Sequence, residues 1–94
     1  MSEPSESEIL LDVAVLGEQV EQFMNSDIGR YLLQHAMAEE QRGIEELKSL
    51  DCNDVIGMRR AQNRAWRGDN FRIWLEEAIS AGLKARMILE DRED

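Results

Sequence analysis

Ninety-four residues allow one domain, and a net charge of −9 with a single cysteine narrows what it can do. Nucleic acid is not expected as a main partner, because neutralising phosphates needs a basic excess. Cys52 alone excludes an internal disulfide and a cysteine-based zinc site, and fits a reducing, cytoplasmic compartment.

Charge is unevenly spread. Residues 1–51 hold 3 Lys and Arg against 12 Asp and Glu, whereas residues 52–94 hold 8 of each. No apolar run reaches the length of a membrane span, and the acidic N-terminus lacks the features of a signal peptide.

Residues 1–5 read as a disordered tail that ends at Ser5, the N-cap of a capping box completed by Glu8. The spacing of Ile9, Val13, Leu16, Val20 and Phe23 predicts a first helix over 6–24 with a heptad seam. Asn25-Ser26-Asp27 is a polar break with good capping residues.

A second helix follows over 28–50, with a seam of Leu33, Met37, Ile44 and Leu47 that Glu40 interrupts. Its first half is apolar around most of its circumference (Ile28, Tyr31, Leu32, Leu33, Ala36, Met37), which predicts two packing neighbours there. Asp51-Cys52-Asn53 is a short link, and a link this short favours an antiparallel hairpin.

The third helix is expected over 54–90, roughly 54 Å long at 1.5 Å per residue. Gly57 and Gly68-Asp69-Asn70 are weak points within it, but no proline intervenes and the apolar rhythm resumes at once. Its seam reads Phe71, Trp74, Ala78, Ala81, Ala85 and Ile88, with a second row of Leu75, Ile79, Gly82/Leu83 and Leu89 beside it. Glu90 to Asp94 reads as a fraying acidic tail. The fold expected is all-α: an antiparallel hairpin of the second and third helices, plus the N-terminal helix, in one domain over 6–94. The second helix is too short to cover Ala78–Leu89. The first helix either folds back into a bundle or covers that end, or a second copy of the chain covers it.

Arg59, Arg60, Arg64, Arg67 and Arg72 line the first half of the third helix. In a hairpin turning at Asp51–Asn53, facing residue numbers sum to about 104. Glu45 and Glu46 then meet Arg59 and Arg60, and Glu39 and Glu40 meet Arg64. Arg67 and Arg72 keep no partner in that register. The same register gathers Tyr31, Trp66, Phe71 and Trp74 into a core cluster.

His35 stands alone as a metal ligand, and Cys52 has no base near it in sequence. No nucleophile–base pair, phosphate loop or two-carboxylate site is present, so neither enzyme nor cofactor is expected. The expected partners are proteins, the chain itself included, with Arg67, Arg72, Ala78, Ala81, Ala85 and Ile88 as candidate contact residues and no membrane contact.

The run Phe23-Met24-Asn25-Ser26-Asp27-Ile28-Gly29-Arg30-Tyr31-Leu32-Leu33 resembles small helical proteins of tailed phages and prophages. Gln62-Asn63-Arg64-Ala65-Trp66, Phe71, Trp74-Leu75 and Ala78-Ile79-Ser80-Ala81-Gly82 extend the resemblance. That family has no assigned chemistry. The resemblance implies a phage or prophage origin, where small acidic helical proteins serve virion assembly or host takeover. The two readings are an assembly protein, such as a virion or morphogenesis component, and an acidic inhibitor of a host nucleic-acid-handling or defence protein.

Overall fold

The structure, a computed structural model, describes residues 3–93 and is all-α: α1 (Glu6–Asn25), α2 (Asp27–Ser49) and α3 (Val55–Glu93). Ser5 caps α1 through its side chain, which accepts from the Glu8 N–H at 3.2 Å. Met1, Ser2 and Asp94 of the two expected tails lie outside the described residues. The acidic C-terminal run does not fray from Glu90. Instead α3 continues to Glu93, and the Arg92 guanidinium donates to Glu6 Oε1 at 2.7 Å and to Ser7 Oγ at 3.3 Å.

One residue, Ser26, ends α1 in an extended conformation, with its N–H on the Phe23 carbonyl at 3.0 Å. Between α2 and α3, the Asn53 N–H bonds the Asp51 carboxylate at 2.9 Å. The cap of α3 is Asp54, one residue beyond the link, where Oδ1 accepts from the Gly57 N–H at 2.9 Å. Gly57 lies against that carboxylate, which a Cβ there would push aside. No break occurs at Gly68-Asp69-Asn70, and α3 runs through it.

The helices group into two compact units, α2 with α3 up to Ile73, and α1 with α3 from Trp74 onward. Each unit is an antiparallel helix pair. In the first, Gly43 faces Ala61 and Ala65, and Gly68 faces Ala36 and Glu40, so facing numbers sum to about 104–108. In the second, Gly17 faces Gly82 and Ala78, and Glu6 reaches Arg92. The end of α3 that α2 leaves bare is therefore covered by α1 of the same chain.

Small residues make both contacts. A Cβ on Gly17 would lie 2.9 Å from the Gly82 Cα, and one on Gly43 would lie 2.6 Å from both the Ala61 carbonyl oxygen and the Ala65 nitrogen. Backbones this close leave no room for a side chain, which is why glycine stands at these positions. The buried residues of the described chain are correspondingly small: Ala14, Gly17, Gly29, Gly43, Ala61, Gly68, Gly82 and Ala85. Along α3 the inward row is Ala61, Ala65, Gly68, Arg72, Leu75, Ile79, Gly82, Arg86 and Leu89, a heptad seam in which no residue is exposed.

This corrects the expected seams. Ile9 and Leu16 on α1, Met37 on α2, and Trp74, Ala81 and Ile88 on α3 are exposed. The first half of α2 is not packed on several sides either, since Ile28, Tyr31 and Met37 are all more than half exposed. The physical reason is that a lone helix pair touches along one narrow line. Small residues on that line let the backbones approach, and the large side chains stand beside it.

Candidate interaction surfaces

Of the five arginines on the first half of α3, one crosses to α2. Arg64 is half-buried, with Nη1 on the Glu46 carboxylate and Nε 3.3 Å from Glu39 Oε2. Glu39 is itself held by Arg42 at 3.0 Å. The Arg64 Nε–H is not aimed at Glu39 and makes no hydrogen bond. The hairpin register expected from the sequence is thus met at Glu39 and Arg64, while Glu46 pairs with Arg64 rather than with Arg59 or Arg60.

Internal pairing of the remaining arginines is not. Arg59 and Arg60 are exposed and have no ion pair among the described residues, and Glu45 accepts instead from Gln41 at 3.2 Å. Arg67 is exposed, its Nε donating to the Asn63 carbonyl at 3.3 Å. Arg72 was expected to lack a partner, yet it pairs with Asp69 one turn earlier at 2.7 Å.

Trp66 lies among the free cations. Arg60, Asn63, Trp66 and Arg67 border an open depression of about 330 Å³ on the outer side of α3. A second groove of about 370 Å³ runs between α2 and α3, lined by Leu32, His35, Ala36, Glu39, Arg67 and Phe71. At its edge the His35 ring stacks on Tyr31, centroids 6.2 Å apart.

The aromatic core cluster does not form. Tyr31 is 66% exposed and Trp66 and Trp74 are each 60% exposed, while Phe71 is half-buried. An antiparallel pair has no third element to close over these rings.

In the other unit, Ala85 is buried and Ala78 half-buried against α1, whereas Ala81 and Ile88 are exposed. Arg86, on the inward row, reaches the Glu18 carboxylate of α1. Chemistry-bearing side chains are scattered: Cys52 is exposed in the link, and no three His, Cys, Asp or Glu among the described residues converge on a metal-sized site. No helix among the described residues is long and apolar enough to cross a membrane.

The accessible surface is 7346 Å². A folded monomer of 10.8 kDa is expected to expose about 5,500 Å². Leu11, Leu16, Ile28, Tyr31, Ile56 and Trp66 are among the large apolar side chains that are exposed. No protein-family model, curated protein or solved structure matches the chain.

Proposed function

We propose that this is a non-enzymatic interaction protein that works by docking its exposed apolar side chains on other protein surfaces, as a component of a larger assembly. One observation carries the reading. The chain closes on glycine and alanine and leaves its tryptophans, its tyrosine and nearly half of its large aliphatic residues exposed to solvent. Contiguous exposed apolar surface on a soluble protein marks binding sites, and aromatic side chains flanked by arginine are frequent anchors there. The resemblance to phage and prophage proteins, among which small acidic helical proteins serve virion assembly or host takeover, supports a phage or prophage setting for either reading, and the assembly reading makes the chain a virion or morphogenesis component.

A second reading is favoured by the charge of α1 and α2. Glu8, Asp12 and Glu21 are exposed and without ion pairs among the described residues, so they could stand in for phosphates on a host nucleic-acid-handling or defence protein.

The two readings separate in one experiment. The full chain and a Tyr31→Ala/Trp66→Ala variant are used as baits in infected-cell lysate at low and high salt. Assembly requires a phage-encoded partner or the chain itself, retained at high salt and lost in the variant. The inhibitor requires one host protein, released by salt and indifferent to the variant. Failure to hold any protein in a stable complex overturns both.

A further inference from the structure

We infer that α1 and the C-terminal half of α3 form one half of a four-helix bundle whose other half is the same pair from a second copy of this chain. The inference rests on the assembly reading and names its first partner.

The pair has two different sides. At about 100° per residue, Ile9, Val13, Leu16, Val20 and Phe23 share one flank of α1, beside the Ala14–Gly17 contact line. On α3, Trp74, Ala78, Ala81, Ala85 and Ile88 share one flank of the line through Gly82. Because the two helices run antiparallel, both flanks fall on the same side of the pair. None of these ten residues is charged. The opposite side also exposes Leu11, Val15 and Leu83, but sets charges among them: Glu18, bonded across to Arg86, and Glu90.

Both rows repeat at spacings of 4, 3, 4 and 3. The facing of Gly17 with Gly82 and of Glu6 with Arg92 aligns them in five layers. Ile9 is level with Ile88, Val13 with Ala85, Leu16 with Ala81, Val20 with Ala78, and Phe23 with Trp74. The three central layers each set a large residue on α1 beside an alanine on α3. The side is therefore a ridge next to a trough of equal length and equal spacing.

A two-fold axis parallel to the helices lays the ridge of each copy in the trough of the other. A closed dimer requires such self-complementarity, and an unrelated partner would have no reason to match it. Half of the ten residues await a covering layer: Ile9, Leu16, Trp74 and Ile88 are each at least 43% exposed in the single chain and Ala81 is exposed, whereas Val13, Val20, Phe23 and Ala78 are half-buried and Ala85 is already buried against α1.

Ridge-in-trough packing predicts a specific rescue. In sedimentation equilibrium of the full chain, wild type is expected to dimerise, more tightly as salt screens the repulsion between two chains of charge −9. Leu16→Lys and Ala81→Glu should each weaken the dimer by about 100-fold or more, because every dimer would bury two unpaired charges. An equimolar mixture of the two should recover a heterodimer in which Lys and Glu meet across the interface. Trp66→Glu, outside this side, should dimerise as wild type.

Far-UV circular dichroism checks that each variant stays helical. Should one unfold, Trp74 emission in Trp66→Phe reports the same surface and should shift blue as concentration rises. A wild-type monomer at 100 µM (about ten times below the concentration a millimolar encounter needs) overturns the inference, as does a dimer that survives both charged variants. The assembly reading itself falls only if, in addition, the chain retains no other protein.

Discussion

Replacing Gly43 by alanine separates the close-packed hairpin from an ordinary one by the sign of the effect. At a typical helix position Gly→Ala stabilises by about 1 kcal/mol. Here the new methyl would sit 2.6 Å from the Ala61 carbonyl oxygen and the Ala65 nitrogen, and 2.9 Å from the Ala65 Cβ. Ordinary contacts lie at about 3.5–4.0 Å, so α2 must withdraw from α3 by roughly 1 Å, and a gap of that size forfeits up to about half of each neighbouring contact.

Overpacking of this kind costs about 1–3 kcal/mol. Subtracting the propensity gain leaves a destabilisation of up to about 2 kcal/mol, or several degrees in Tm at about 4–8 °C per kcal/mol. Urea and thermal unfolding followed by circular dichroism at one fixed protein concentration reads it. Ala38→Gly, exposed on α2, is the control and should lose about 1 kcal/mol from propensity alone. A Gly43→Ala protein about 1 kcal/mol more stable than wild type would show that the helices are not in backbone contact, and the account of the core would fail.

Trp66→Ala should cost less than about 1 kcal/mol, because the ring is 60% exposed, where a core tryptophan would cost about 3–5 kcal/mol; denaturant midpoints decide it. Arg64→Met should destabilise by about 1 kcal/mol, since Glu39 and Glu46 lose their shared cation, and a double-mutant cycle with Glu46→Gln should show the coupling. Asp54→Ala removes the cap of α3 and should cost about 1 kcal/mol in the same assay, whereas Asn53→Ala should cost less because its side chain does not cap. Gly82→Leu would drive a side chain into the Gly17 backbone and should abolish the protection of α1 amides from hydrogen exchange while sparing the centre of α2.

The sequence made the helices legible because their signals are local: the Ser5 cap with Glu8, the polar break at Asn25–Asp27, and the short link after Leu50. It also disclosed the hairpin register, which follows from link length and is met where Gly43 faces Ala61, Gly68 faces Ala36 and Arg64 meets Glu39. What it did not disclose is which row turns inward. Reading seams by hydrophobicity picks Ile9, Leu16, Met37 and Trp74, because large apolar residues usually bury most. In an isolated helix pair the contact line belongs to the residues that permit closest approach, and here these are Gly17, Gly43, Ala61, Gly68 and Gly82.

The available signal was the small residues Ala61, Ala65, Gly68 and Gly82 falling on one heptad row of α3. It was obscured by the propensity argument, which treats a helical glycine only as a weak point. The arginines were misread for a related reason. A charge imbalance between two halves of a chain limits how much pairing is possible, but rotation about the helix axis decides it, and Arg59 and Arg60 point away from α2. The apolar seams that fail as a core remain as two matched rows on the surface, and these rows carry the case for self-association.

The most direct test of the account is the mass of the purified full chain by sedimentation equilibrium across a hundredfold range of concentration. The account predicts a reversible dimer of twice 10.8 kDa that dissociates on dilution and tightens with added salt. A chain that stays monomeric throughout, with its apolar rows still in water, would contradict it.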